Sequence, residues 1–310
     1  MGLRHKDLIS IHQLTSDDIA LILDVAESFK EISERPIKKV PTLRGRTIVT
    51  LFFEPSTRTR TSFELAAKRL SADTVNISKS TSAIVKGESI KDTAQTIEAM
   101  ASDLVVIRHA ASGSAALLAK YMECSVVNAG DGSHEHPTQA LLDLFTIRQE
   151  FGTLNGLRVA IVGDILHSRV ARSNIMALTK VGSEVIVVGP PTLIPKDIES
   201  LGVKVSHDLD SILPEVDVLY LLRIQLERQG EPLFPSLREY ASLFGINKRR
   251  LQMAKPDLIV MHPGPINRGV EIAPDVADMP QAVITTQVTN GVAVRMAVLY
   301  LLLGGARDDE

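Results

Sequence analysis

The segment Ser56-Thr57-Arg58-Thr59-Arg60 places three hydroxyls and two guanidinium forks within five residues. It follows an apolar, β-branched run, Thr47–Phe53, and leads into a helix-like stretch over 60–70. At a strand-to-helix turn the first backbone N–H groups of the helix have no intrahelical partners, and the helix dipole favours an anion there. Hydroxyl donors and a charged fork add hydrogen bonds, the charge-assisted ones contributing roughly 1.5–3 kcal/mol each. A few of these hold a phosphate at micromolar affinity, which is about 8 kcal/mol. Phosphate binding is the chemistry implied, and a capped helix with solvated arginines is the plainer alternative.

Polar residues recur just after other apolar runs. Leu104–Ile107 ends in Arg108-His109, and Arg158–Val162 leads to Gly163-Asp164 and then Ser168-Arg169. Val218–Leu222 ends in Arg223, with Gln225 two residues on, and Leu258–Met261 ends in His262-Pro263-Gly264-Pro265. Open parallel sheets bind ligands beyond the carboxyl ends of their strands. Arg58, Arg60, Arg108, Arg169 and Arg223 therefore stand at sheet edges that could converge. Arginine forks suit carboxylate and phosphate, so the implied ligand carries several negative charges. His136-Pro137-Thr138-Gln139 opens a further helix, where the positive dipole end favours a neutral imidazole able to donate to a carbonyl oxygen. A packed or capping histidine fits that position equally well. The loop 80–89, with Ser82 and Lys86, reads on spacing alone as solvated.

Other devices are missing from the sequence. No Gly-x-x-x-x-Gly-Lys-Ser/Thr loop occurs, and Gly130-Asp-Gly132-Ser-His-Glu135 lacks the third glycine of a dinucleotide fingerprint. There is no metal-ligand spacing such as His-Glu-x-x-His or paired Cys-x-x-Cys, and no Gly-x-Ser-x-Gly elbow. Neither a metal nor a cofactor is expected.

These residues need a scaffold, and the chain is long enough for about two domains at 310 residues. Hydrophobic residues at 45% and charged residues at 23% suit an ordinary globular core. With 34 Lys and Arg against 37 Asp and Glu, the net charge is −3, which disfavours non-specific binding to nucleic acid or membranes. The one cysteine, Cys124, excludes an intrachain disulfide. The start, Met1 to Asp7, lacks a signal-peptide core, and the apolar run Met296–Leu303 is far short of the ~20 residues that span a bilayer. A cytoplasmic location is expected. Apolar runs at 47–53, 104–107, 126–128, 158–162, 184–188, 218–222 and 258–261 read as buried strands. Helical patterns over 16–32, 60–70, 89–101, 113–122, 137–150, 168–181 and 236–243 separate most of them, and a last helix is expected over 291–304. No internal repeat is visible. The order implies an α/β protein with two doubly wound parallel-sheet domains. The break falls near 135–150, with Phe151-Gly-Thr-Leu-Asn-Gly156 as a linker.

Phe52-Phe-Glu-Pro-Ser-Thr-Arg-Thr-Arg60 resembles the carbamoyl-phosphate signature of the aspartate and ornithine carbamoyltransferases, as do Lys86-Gly-Glu88, Arg108-His109 and His136-Pro-Thr-Gln139. The similarity runs through the whole chain in order. Gly163-Asp164, His167-Ser-Arg169-Val-Ala-Arg172, Leu222-Arg223-Ile-Gln225-x-Glu227, Met261-His-Pro-Gly-Pro265 and Asn267-Arg-Gly-Val-Glu-Ile272 are similar to the aspartate branch. The ornithine branch would carry Ser-Met-Gly and His-Cys-Leu-Pro elements. Two arginines, Arg169 and Arg223, also suit an acceptor with two carboxylates better than an amine side chain.

The resemblance implies a carbamoyl-phosphate-binding domain over 1–135, with the helix 291–310 packed back on it, and an aspartate-binding domain over 136–290. The active site would lie in the cleft between them. The implied reaction moves the carbamoyl group of carbamoyl phosphate to the α-amine of L-aspartate, an early step of de novo pyrimidine biosynthesis. Ser56, Thr57, Arg58 and Thr59 match the residues that hold phosphate, and Arg108 matches one that reaches phosphate and carbonyl oxygen. His136 and Thr59 match carbonyl donors, and Gln139 the contact to the carbamoyl amide. Arg169, Arg223 and Gln225 match the aspartate contacts, with the carbonyls of Pro263 and Gly264 facing the amines and Gly264–Pro265 a candidate cis peptide. Ser82 and Lys86 match a loop that enters the site of a neighbouring subunit, which implies a homotrimer; a regulatory chain or pathway-enzyme partner is compatible. Val170 and Gly264 depart from threonine and leucine seen in some members. An ornithine-type enzyme, a non-catalytic anion-binding regulatory protein and, more distantly, a dinucleotide-dependent enzyme are the alternatives.

Overall fold

A computed structural model describes residues 2–78, 89–225 and 234–304 of the chain. These divide into two compact units, 1–145 with 288–310 and 146–287. The division falls inside a helix, Pro137–Phe151, where the sequence places the break just before it at 135/136. Residues 136–145 thus lie with the first unit, as does the last helix from Val288 onward.

The first unit holds a four-stranded parallel sheet: β1 (Thr47–Phe52), β2 (Asp73–Ser78), β3 (Leu104–His109) and β4 (Ser125–Asp131), in the spatial order β2-β1-β3-β4. Its helices are α1 (Ser16–Glu34), α2 (Thr57–Arg69), α3 (Ile90–Ala99), α4 (Ser114–Ala119) and the start of α5 (Pro137–Phe151). β1, β3 and β4 are apolar along most of their length because helices cover both faces of the sheet. α2 buries Thr59, Ser62, Phe63, Ala66 and Ala67, a stripe at the i, i+3, i+4, i+7, i+8 spacing of a one-sided helix. The outer edge of β4 pairs with the N-terminal segment, Leu8 N–H donating to Val126 O and Leu8 O accepting from Asn128 N–H, both at 2.9 Å.

The second unit holds β5 (Arg158–Val162), β6 (Glu184–Val188), β7 (Lys204–Ser206), β8 (Val218–Leu221) and β9 (Ile259–Met261), all parallel, in the order β7-β6-β5-β8-β9. Its helices are α6 (Arg169–Lys180), α7 (Leu209–Ile212), α8 (Leu237–Phe244), α9 (Lys248–Leu251) and α10 (Pro274–Ala277). The last helix, α11 (Ile284–Leu303), begins in this unit and ends in the first. It is longer than the apolar run 296–303 suggests, and long and apolar enough to cross a membrane by composition, yet it is mostly buried. Its Tyr300 meets Phe29 of α1 edge-on at 5.7 Å.

Two strands escape the sequence reading, β2 and β7, and both lie at the outer edge of a sheet. An edge strand buries less, so Asp73-Thr-Val-Asn-Ile-Ser78 and Lys204-Val-Ser206 carry polar residues and give no continuous apolar signal. β3 and β4 run on past their apolar cores to His109 and Asp131, which pair with each other across a register shift.

Without any visible sequence repeat, the order β2-β1-β3-β4 recurs as β6-β5-β8-β9 in the second sheet, to which β7 is added, and both sheets carry one device at their amino edge. Asp103, just before β3, donates its N–H to Thr47 O at 2.9 Å and accepts Thr47 N–H on Oδ2 at 2.8 Å, while Oδ1 takes Arg46 Nη1 at 2.7 Å. Asp217, just before β8, repeats this on Arg158 N and O at 2.8 and 2.9 Å, with Lys255 Nζ at 2.6 Å on Oδ1. Each aspartate thereby fixes the register of a central strand pair. Asp103→Ala and Asp217→Ala are each expected to cost about 1.5–3 kcal/mol, the range for hydrogen bonds to a charged group. Denaturation midpoints measure this, and an unchanged midpoint for either variant would show that strand packing alone sets the register.

Candidate active site

In each sheet the chain leaves two adjacent strands in opposite directions, and ligands of open α/β sheets bind outside the carboxyl ends at that point. In the first unit these strands are β1 and β3, in the second β5 and β8. Arg58, Arg169 and Arg223 follow β1, β5 and β8, Arg108 lies near the end of β3, and His136 and Pro263 follow the neighbouring strands β4 and β9.

In the first unit, Phe52 pairs with Arg108, and Phe53 N–H donates to Arg108 O at 2.9 Å. That register brings the arginine beside the loop that follows β1. Arg108 Nη2 donates to Glu54 Oε1 at 2.7 Å, and Nη1 to Ala129 O at 3.2 Å. The pair is largely buried, with 12% of the arginine and 21% of the glutamate side chain exposed. Arg108 lies within β3, not beyond it, so its backbone is held by the sheet.

Ser56 is the N-cap of α2, and its hydroxyl makes no capping hydrogen bond. Thr15, Ser89, Ser168 and Ser236, by contrast, each accept a first-turn N–H at the start of their helices. Thr57 and Arg58 are exposed on the first turn, whereas Thr59 is 7% exposed and forms the first rung of the buried stripe. Within this motif Ser56 leaves the helix start without a side-chain cap, Thr57 and Arg58 are exposed, and Thr59 is the withdrawn one.

The turn 130–136 is set by a buried carboxylate. Asp131 Oδ2 accepts Gly113 N–H at 2.6 Å, and its Oδ1 accepts Glu135 N–H at 3.1 Å and Asn128 Nδ2 at 2.8 Å. Asn128 in turn accepts Gly130 N–H at 2.8 Å. Glu135 accepts the Ser10 hydroxyl and Ile11 N–H, the latter at 2.8 Å. Gly132 has φ 49°, and a side chain there would meet Ser112 N at 2.6 Å. Asp131 thus draws the backbone amides of Gly113 and Glu135 onto its own carboxylate. The web delivers His136, 4% exposed, to the residue before α5, where its carbonyl accepts Gln139 N–H at 3.0 Å. The Gln139 side chain donates Nε2 to Asp143 Oδ1 at 3.0 Å.

In the second unit, Asp164 is fully buried after β5, and its Oδ1 takes His167 Nδ1 at 2.8 Å and His167 N–H at 3.2 Å. Ser168 caps α6 by accepting Ala171 N–H at 3.1 Å. Arg169 follows as the first helical residue, only 5% exposed. Arg223 is half-buried after β8, and Gln225 Nε2 reaches His167 O at 3.4 Å, which joins the two loops. After β9, His262 accepts Gly264 N–H on Nδ1 at 2.8 Å, which leaves the proton on Nε2 facing Glu271 Oε1 at 3.2 Å. Glu271 Oε1 also takes Asn267 N–H at 2.8 Å, and His262 N–H donates to Gln287 Oε1 at 2.9 Å. This frame holds Pro263 and Gly264 with a cis Gly264–Pro265 bond, and Gly264 at φ 62°.

Ser82 and Lys86 lie outside the described residues. The sequence reading gave no role to the carboxylates Glu54, Asp131, Asp143 and Glu271, nor to the buried Arg295. Only one of these left a readable signal, the i, i+4 spacing of Gln139 and Asp143. Among the described residues no group of three or more His, Cys, Asp and Glu side chains is placed to hold a metal ion.

Residues 6–149 match the family model described as aspartate/ornithine carbamoyltransferase, carbamoyl-P binding domain, and residues 155–302 match the Asp/Orn binding domain. The chain is 63% identical over 306 residues to the aspartate carbamoyltransferase catalytic subunit of Moorella thermoacetica, covering 99% of this chain and 100% of that one. The structure of aspartate transcarbamoylase from Trypanosoma cruzi, in complex with carbamoyl phosphate and aspartate, aligns with a TM-score of 0.87 at 33% identity over 96% of each chain. Ornithine carbamoyltransferase from Pyrococcus furiosus also reaches 0.87, at 31% identity, over 98% of this chain and 99% of that one. The fold is common to both branches, while the high sequence identity is to an aspartate enzyme. With both halves matched in order, the chain belongs to the aspartate/ornithine carbamoyltransferase family.

Proposed function

We propose that this chain is an enzyme that transfers the carbamoyl group of carbamoyl phosphate to the α-amine of L-aspartate, giving N-carbamoyl-L-aspartate and phosphate. This is the reaction of an early step in de novo pyrimidine biosynthesis. The observation that carries the reading is the Arg108 fork, locked by Glu54 and Ala129 O on the strand beside the uncapped start of α2. A fixed cation and an open helix start in one unit make an anion anchor. The 63% identity to an aspartate carbamoyltransferase catalytic subunit selects the acceptor.

In this mechanism the phosphate is held by Ser56, Thr57, Arg58 and the α2 N-terminus, with Lys86 added. Arg169, Arg223 and Gln225 take the aspartate carboxylates, and the carbonyls of Pro263 and Gly264 face the amines. The neutral amine forms the new N–C bond at the carbonyl carbon. The C–O bond to phosphate breaks, and the departing phosphate takes the amine proton. Arg108, His136 and Thr59 stabilise the carbonyl oxygen as charge builds on it, and Gln139 contacts the carbamoyl nitrogen. Orientation and preorganised charge supply the rate.

Phosphate release from carbamoyl phosphate is expected with aspartate and not with ornithine. Release with ornithine alone would move the chain to the other branch, and binding without release for any amine would make it an anion-binding regulator. Arg58→Ala is expected to lower kcat by about 10²–10³, the range for losing one transition-state donor. Turnover within threefold of wild type would remove Arg58 from the chemistry.

The reading includes a cytoplasmic homotrimer in which Ser82 and Lys86 complete a neighbour's site, with a regulatory chain or pathway enzyme as a compatible partner. Resemblance to the family supports this. Mixing inactive Arg58→Ala and Lys86→Ala chains should restore part of the activity, because some sites then receive both native residues. No recovery in proven mixed oligomers would mean that each chain completes its own site.

A further inference from the structure

Gln139 lies in the first turn of α5, half-buried, with its Nε2 on Asp143 Oδ1 one helical turn further on. Asp143 is 1% exposed. A carboxylate so buried needs a compensating charge. Arg295 of α11, 4% exposed, is attracted to it. Arg295 is itself anchored, with Nη1 donating to Ser62 Oγ at 2.9 Å and Gly291 O at 3.1 Å, and its guanidinium 5.1 Å from the centre of the Phe63 ring. Burial pushes this guanidinium down to about 10, which still leaves it charged at neutral pH.

A carboxylate offers only acceptors. The amide nitrogen of Gln139 must therefore face Asp143, and its Oε1 must face the other way. A neutral amide at 143 would satisfy Gln139 in either orientation.

We propose that Asp143 is a specificity-determining positioning residue: by holding Nε2 of Gln139 it presents Oε1 as an acceptor that matches the amide NH2 of a carbamoyl donor and finds no partner on an acetyl donor. This rests on the carbamoyl-transfer reading and deepens it. Asp143 acts through Gln139 and needs no contact with substrate. One matched hydrogen bond corresponds to about a tenfold preference.

Two stable phosphonates isolate this effect, phosphonoacetamide with an amide end and 2-oxopropylphosphonate with a methyl ketone. Calorimetry on the full-length protein should show about tenfold tighter binding of the amide. Asp143→Asn should bring that preference below threefold, with ketone affinity within twofold of wild type. Gln139→Ala should abolish the preference, and adding Asp143→Asn to it should change the ratio no further, since the two act in series. Equal loss of both ligands would mark a merely structural role and overturn the proposal. So would a wild-type preference below threefold, or a tenfold preference that survives in Asp143→Asn. Gln139→Ala tests the idea even if Asp143→Asn does not fold, because an undiminished preference there refutes it. Failure of the carbamoyl-transfer reading looks different, as wild-type protein that releases no phosphate with any amine.

Discussion

Parallel pairing sends the carboxyl ends of adjacent strands to one edge of the sheet, and strand order decides which loops adjoin there. In the first unit β1 and β3 are neighbours although about fifty residues separate them in sequence. The pairing of Phe52 with Arg108 then dictates that Arg108 meets Glu54. A slip of one residue would turn the guanidinium to the opposite face of the sheet. The placement of the anion-binding groups is thus a consequence of register, and everything proposed for catalysis inherits its precision from the buried strands.

The two edges of each sheet carry opposite chemistry. At the amino edge, Asp103 and Asp217 accept the first amide of a central strand and pair with a basic side chain. Their carbonyls go on to accept the first N–H of the next strand, Ser125 at 3.3 Å and Ile259 at 3.1 Å. That edge is closed by internal partners. The carboxyl edge instead ends in helix starts and guanidinium groups, where fixed donors favour an incoming anion. The recurrence of this arrangement in two units with no visible sequence repeat reflects a physical requirement more than a motif. A central strand pair needs one end pinned if the other end is to hold reactive groups at fixed spacing.

The sequence displays the central strands because they are covered on both faces, and Thr47–Phe52, Arg158–Val162 and Glu184–Val188 stand out as continuous apolar runs. β2 and β7 do not, since half of an edge strand faces water. Candidate site residues were legible where their types are costly to place by chance, as in Ser56-Thr-Arg-Thr-Arg60. Their exposure was not legible. Thr59 is drawn inward by the helical stripe that starts with it, and Arg169 is buried at the start of α6. The acidic partners were hidden for a different reason. Nothing local distinguishes Glu54 or Glu271 from a solvated carboxylate, and each acquires its role only through a residue brought to it by tertiary structure, as much as 54 positions away in sequence for the Glu54–Arg108 pair.

Those acids pose an energetic question, because negative charge beside an anion site weakens the local positive potential. At Arg108 the Glu54 carboxylate offsets part of the charge that a phosphate would feel. The return is orientation. Asp131 fixes the Glu135 amide in the turn before His136 and the Gly113 amide at the start of α4, Asp143 fixes the Gln139 amide, Asp164 holds the His167 ring and Glu271 holds the His262 ring. A donor that must first reorient loses much of its value as charge develops in a transition state, whereas a preorganised one keeps it. In each unit several polar groups near the carboxyl edge are tied to a buried acid in this way. At these positions the structure favours fixed geometry over maximal charge, a balance suited to the proposed transfer between two anionic substrates.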